Sequence, residues 1–124
     1  MANIETSLKE AMAIDGAVGV ALVDYTSGLT LGVLGGGPTM DMNVAAAGNT
    51  DVVRAKVRTL EMLGLSDSIE DILITLDTQY HLIRLLKSSR SGDAFFLYLA
   101  LNKTRANLGL ARHQLRRIES DLEV

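Results

Sequence analysis

The sequence has no cysteine and no tryptophan, one proline (Pro38), and aromatic residues at only 4% of its 124 positions. Without cysteine there is no disulfide, no thiolate nucleophile and no Cys-ligated zinc, which suits a reducing, cytoplasmic setting. So few aromatic rings provide no platform for stacking nucleic-acid bases. Excess positive charge is missing as well. Its 12 Lys and Arg stand against 15 Asp and Glu, for a net charge of −3, whereas binding a phosphate backbone calls for a basic footprint. Nucleic acid is therefore not an expected partner. Long apolar runs are also lacking. The longest in the N-terminal part spans residues 17–23, far below the roughly 20 residues of a membrane span. It follows Glu5, Glu10 and Asp15, where a signal peptide would carry positive charge. No membrane insertion is expected.

What remains is 48% hydrophobic and 22% charged residues, enough to fill a core and cover it, in one domain over residues 1–124. Ile4, Leu8, Ala11 and Met12 recur at helical spacing, and Gly16 ends that helix. Residues 17–23 are small and β-branched without a polar break, as in a strand buried on both faces. The Asp24-Tyr25-Thr26-Ser27-Gly28 turn and residues 29–34 complete a hairpin. After Gly35-Gly36-Gly37-Pro38, a long helix is predicted over about residues 40–63, with Pro38 at its start and Gly64 as its C-terminal cap. Three strands follow, over residues 69–76, 80–87 and 94–101. The last alternates Phe95, Leu97, Leu99 and Leu101 against Phe96 and Tyr98. Residues 88–93 are expected to form a turn. A final helix from about Asn102 or Lys103 carries the stripe Leu108, Ala111, Leu115, Ile118 and Leu122. The order is α-β-β-α-β-β-β-α, and the short connections make an α+β fold with a mostly antiparallel sheet covered by helices.

Little in the chain asks for chemistry. Gly32 and Gly37 have the spacing of a phosphate-binding loop, but Pro38 stands where the lysine belongs, so the glycines read as a flexible lead into the helix. His81 and His113 belong to no local metal-ligand pair and read as surface residues. No serine lies in a Gly-x-Ser-x-Gly context. No catalytic residue, metal or cofactor is expected.

The long helix is the informative element. At 100° per residue, Met42, Ala46, Val53, Val57 and Leu60 form one stripe that should lie on the sheet. The opposite side carries Val44, Gly48, Val52, Ala55 and Met62 instead of charge, while Arg54, Arg58 and Glu61 lie on a flank. A helix apolar on two sides is expected to be covered on both. In so short a chain the second cover is expected to be another chain, with Gly48 and Ala55 allowing close approach.

The hairpin of residues 16–24 with Ser27-Gly28-Leu29, the long helix after a glycine-rich break, the segment Ile69-Glu70-Asp71-Ile72-Leu73-Ile74-Thr75 and the Tyr80-His81-Leu82-Ile83 strand together resemble Roadblock (dynein-light-chain-type) domains, above all their short free-standing bacterial members. The resemblance runs from about Ile4 to Ile118. It implies a profilin-like five-stranded antiparallel sheet flanked by helices. It further implies a homodimer with its long helices side by side and the strands of residues 69–76 paired at their edges. It also implies a non-enzymatic adaptor or regulator in signalling, whose partner is a bacterial Ras-like small GTPase. On that expectation Val44, Gly48, Val52, Ala55 and Met62 form the dimer or partner interface, and Arg54, Arg58 and Glu61 are polar partner contacts. The alternative is a small-molecule-sensing domain of a signalling system.

Overall fold

The two most apolar strand segments lie next to each other near the middle of the sheet, where both faces are covered. The computed structural model describes residues 2–87 and 94–124. Its elements are α1 (Ile4–Met12), β1 (Ala17–Asp24), β2 (Leu29–Gly35), α2 (Met42–Met62), β3 (Asp71–Thr75), β4 (Gln79–Leu85), β5 (Phe95–Asn102) and α3 (Leu108–Asp121). This is the expected order. The strands form one sheet in the order β2-β1-β5-β4-β3, with every neighbouring pair antiparallel. β1 and β5 sit inside it, and β2 and β3 are its edges.

Alternation along β5 divides the core in two. Phe95, Leu97, Leu99 and Leu101 pack with Leu8 and Ala11 of α1 and with Ala111, Leu115 and Ile118 of α3. Phe96, Tyr98 and Ala100 pack on the other face against Met42, Ala46 and Val53 of α2. Two helices thus cover one face and a single helix the other. The predicted α3 stripe meets the core, with Leu108 at its edge.

Two helix starts and the role of the glycines between β2 and α2 depart from expectation, each for a local reason. α2 begins at Met42 because the Asp41 carboxylate accepts the N–H groups of Asn43 (2.9 Å) and Val44 (3.3 Å), a strong N-cap. Pro38 lies before it, in a separate 3₁₀ turn over Gly37–Thr39. The glycines are no flexible lead. Gly35 and Gly36 have φ of 75° and 85°, a Cβ on Gly35 would lie 2.5 Å from the Val18 carbonyl, and one on Gly36 would strike the Met40 carbonyl. The chain turns a packed corner that only glycine fits. α3 begins at Leu108, capped by Asn107, rather than at Asn102 or Lys103. Asn102 closes a turn instead, its Oδ1 accepting from the N–H (3.0 Å) and hydroxyl (2.7 Å) of Thr104. Lys103 and Arg105 therefore precede the helix.

The end of α2 is as expected. Gly64, at φ 71°, donates to the Glu61 carbonyl and Leu65 to that of Leu60, both at 3.0 Å, which is a Schellman cap. The turn predicted over residues 88–93 lies outside the described residues.

Candidate interaction surface

α2 lays Met42, Ala46, Thr50 and Val53 on the sheet, all buried, with Val57 half-buried beside them. Thr50 reads as polar in the sequence, yet it joins this stripe because its hydroxyl donates to the Ala46 carbonyl at 2.8 Å. The opposite side is bare. Val44 is 68% exposed and Met62 73%; Val52 and Ala55 are also exposed. A Cβ built on Gly48 would meet nothing within 4 Å. All five residues singled out in the sequence therefore lie along one uncovered line of the helix.

The flanks of α2 differ. On the hairpin side, the Arg54 guanidinium donates from Nε to the Tyr25 carbonyl at 2.7 Å and from Nη2 to the Thr26 carbonyl. Arg54 thus holds the β1–β2 turn to the helix. The turn is already shaped by Asp24, whose Oδ1 accepts from the N–H (2.9 Å) and hydroxyl (2.6 Å) of Thr26. These bonds favour the ionised carboxylate and lower its pKa. Arg58 and Glu61 stay exposed beside the apolar line. On the other side, a groove of about 620 Å³ runs between α2 and the sheet edge, lined by Val52, Ala55, Lys56, Thr59, Ile69, Asp71 and Ile72. Its far wall is β3, whose outer edge pairs with no strand among the described residues. The Asp71 carboxylate in that wall accepts two bonds from Arg112 of α3, at 2.9 and 3.0 Å.

A polar cluster lies under α2. His81 Nδ1 is 3.1 Å from the Tyr98 hydroxyl and its Nε2 is 2.8 Å from Gln79 Oε1. The His81 and Tyr98 rings meet edge to face. Burial lowers the His81 pKa and pushes the Tyr98 hydroxyl up to about 12. His81 is thus half-buried and bonded, not a plain surface residue, whereas His113 is exposed as expected. Gln79 shares a face with His81 because the two are two residues apart on β4, but nothing in the sequence marked the contact with Tyr98, which forms only through the register of β4 and β5.

The Gly36 N–H is bonded to the Val18 carbonyl at 2.8 Å, so the glycine corner does not present that amide to a phosphate. Among the described residues no three His, Asp or Glu side chains gather as a metal site. No helix among them is long and apolar enough to cross a membrane.

Neither a protein-family model nor a curated protein matches the sequence. Solved structures do match the fold. A Roadblock/LC7 domain from Streptomyces avermitilis superposes with a TM-score of 0.78 at 11% identity, covering 96% of this chain and 93% of that one. Myxococcus xanthus MglB gives 0.73 at 17% identity, over 93% and 84% of the two chains. MglC from the same organism gives 0.59 at 18%, over 94% and 92%. The chain has the Roadblock/LC7 fold.

Proposed function

We propose that this chain is a non-enzymatic, cytoplasmic adaptor that dimerises and binds a bacterial Ras-like small GTPase through its paired α2 helices. The uncovered line Val44–Gly48–Val52–Ala55–Met62 carries the reading. It is uncovered along the helix, apolar apart from the exposed Asp51 among its residues, and flanked by an open groove and by a strand edge that pairs with no strand among the described residues. A second copy laid against it would bury Val44, Val52 and Met62, each contributing on the order of 1.5–3 kcal/mol if fully covered. Two-fold symmetry doubles every such contact. Pairing of β3 with its symmetry mate would close the edge that is otherwise open to unwanted strand addition.

The GTPase rests on the fold's likeness to Roadblock/LC7 and MglB structures and on the family resemblance of the sequence. Arg58 and Glu61 would form the polar rim of the partner site, setting specificity and association rate more than affinity. Arg54 would act by holding the β1–β2 turn against the same helix.

Affinity capture from native cytosol, with GTP-analogue and GDP arms read by mass spectrometry, tests the reading. A Ras-like GTPase enriched in one arm is the expected result. None in either arm would overturn the GTPase assignment and bring the small-molecule-sensor reading forward.

A further inference from the structure

We propose that His81 makes self-association of this chain pH-dependent, the dimer forming with neutral His81 and weakening when that imidazole takes up a proton. The inference rests on the dimer proposed above.

Strand register places the ring. Ile72, which packs with the α2-side core, pairs with Ile83, and two residues further along Ile74 pairs with His81. Since residues two apart share a face, His81 stands on the α2 side, one strand in from the β3 edge. A second copy docked on α2 and β3 would remove water from this ground.

The hydrogen bonds suit one neutral tautomer. Gln79 Oε1 can only accept, so Nε2 carries the proton, and Nδ1 is left to accept from the Tyr98 hydroxyl. On α2, Asn49 Nδ2 donates to the Ala45 carbonyl at 2.8 Å. Gln79 and His81 of β4 and Tyr98 of β5 thus form one chain of bonds, in which Nδ1 accepts from the Tyr98 hydroxyl only while the imidazole is neutral. A proton on Nδ1 would turn that atom into a donor facing the Tyr98 O–H, which would lose its acceptor.

Among the described residues, none of the groups bonded to the ring would offset the new charge. From β5 it meets the neutral Tyr98 hydroxyl, from β4 the Gln79 amide and from β3 the apolar Ile74, and on α2 the Asn49 side chain beside Tyr98 is an uncharged amide. Among the described residues no carboxylate forms an ion pair with His81. The charged groups of the neighbouring groove are Lys56, which is cationic, and Asp71, which is already paired with Arg112. Burial already depresses the ring's affinity for a proton in the single chain. Further desolvation by a second copy would depress it more, so acid would favour the separated chains, at two sites per dimer.

Sedimentation equilibrium of the full chain at about pH 7.5 and about pH 5.5 tests this. The expected result is a dimer dissociation constant that rises roughly tenfold in acid, with His113→Gln behaving like the parent and His81→Gln holding one value at both pH values. Should His81→Gln not fold, His81→Phe, which keeps a ring of similar size, replaces it. Melting temperatures at both pH values establish that the species compared are folded. A parent dimer indifferent to pH, or a His81→Gln dimer that weakens as the parent does, overturns the proposal and leaves the dimer standing. A chain monomeric at about pH 7.5 at every concentration overturns the dimer itself, and the proposal with it.

Discussion

The two faces of this sheet each receive a cluster of buried apolar side chains and end up closed to different degrees. β5 sends Leu97, Leu99 and Leu101 to one side and Phe96, Tyr98 and Ala100 to the other, all buried. The helices are similar in amount too, since α1 and α3 together are about as long as α2. Disposition makes the difference. α1 and α3 each turn one stripe to the sheet and a polar side to water, closing the first face so fully that an ion pair is trapped there. On the second face α2 is a single rod. It covers the middle of the sheet, leaves Ile72, Ile74 and His81 only half-buried, and keeps an apolar line on its far side. One face is finished by the chain itself, and the other has the makings of an interface.

Among variants that still fold, the largest effect should come from the finished face. Arg84 of β4 and Glu119 of α3 lie 3.2 Å apart, each about 5% exposed. Glu119→Ala would leave a buried guanidinium without its carboxylate, and a loss of about 3–5 kcal/mol is expected in urea denaturation. Replacing both, as Arg84→Met with Glu119→Leu, should restore most of that loss, because two apolar side chains carry no desolvation penalty. A double variant as unstable as the single one would mean that the pair matters for its bonds rather than for its unmatched charge.

Arg54→Ala should act more weakly, at about 1 kcal/mol, since both its bonds to the Tyr25 and Thr26 carbonyls are exposed. Its signature is local. Hydrogen exchange should quicken at Thr26 and Gly28, while the dimer keeps its affinity. Loss of the dimer together with a quiet hairpin would make Arg54 a direct interface contact and blur the distinction between the helix's flank and its outer line.

The finished face was also the more legible in the sequence. Its stripes, Leu8 with Ala11 and Ala111 with Leu115 and Ile118, follow from helical period, and the strand parities follow from alternation. Side-chain capture of the backbone was harder to read. Asp41 and Asn107 set the true starts of α2 and α3, while Pro38 and Asn102, equally good signals on paper, serve a 3₁₀ turn and a loop. Contacts between elements were not legible at all. Arg84 and Glu119 are 35 residues apart and Tyr98 and His81 are 17, and only the fold brings them together. The bare line on α2 was visible because it is an internal contradiction of one helix, an apolar side where water should be.

The smallest effect on stability should be the most informative. Val53 and Ala55 are two residues apart on α2, nearly opposite in direction; Val53 is fully buried and Ala55 is exposed. Val53→Arg should abolish folding, because a guanidinium cannot enter the core against Phe96 and Tyr98 without a partner. Ala55→Arg should change stability by no more than about 0.5 kcal/mol, since arginine is nearly as good a helix former as alanine. It would nevertheless place two guanidinium groups at the centre of a symmetric contact, so sedimentation should find a folded monomer. If Ala55→Arg remains a dimer, the contact lies elsewhere, with the β3 edge as the next place to probe. If it unfolds, the outer line of α2 belongs to the core, and the asymmetry between the two faces disappears.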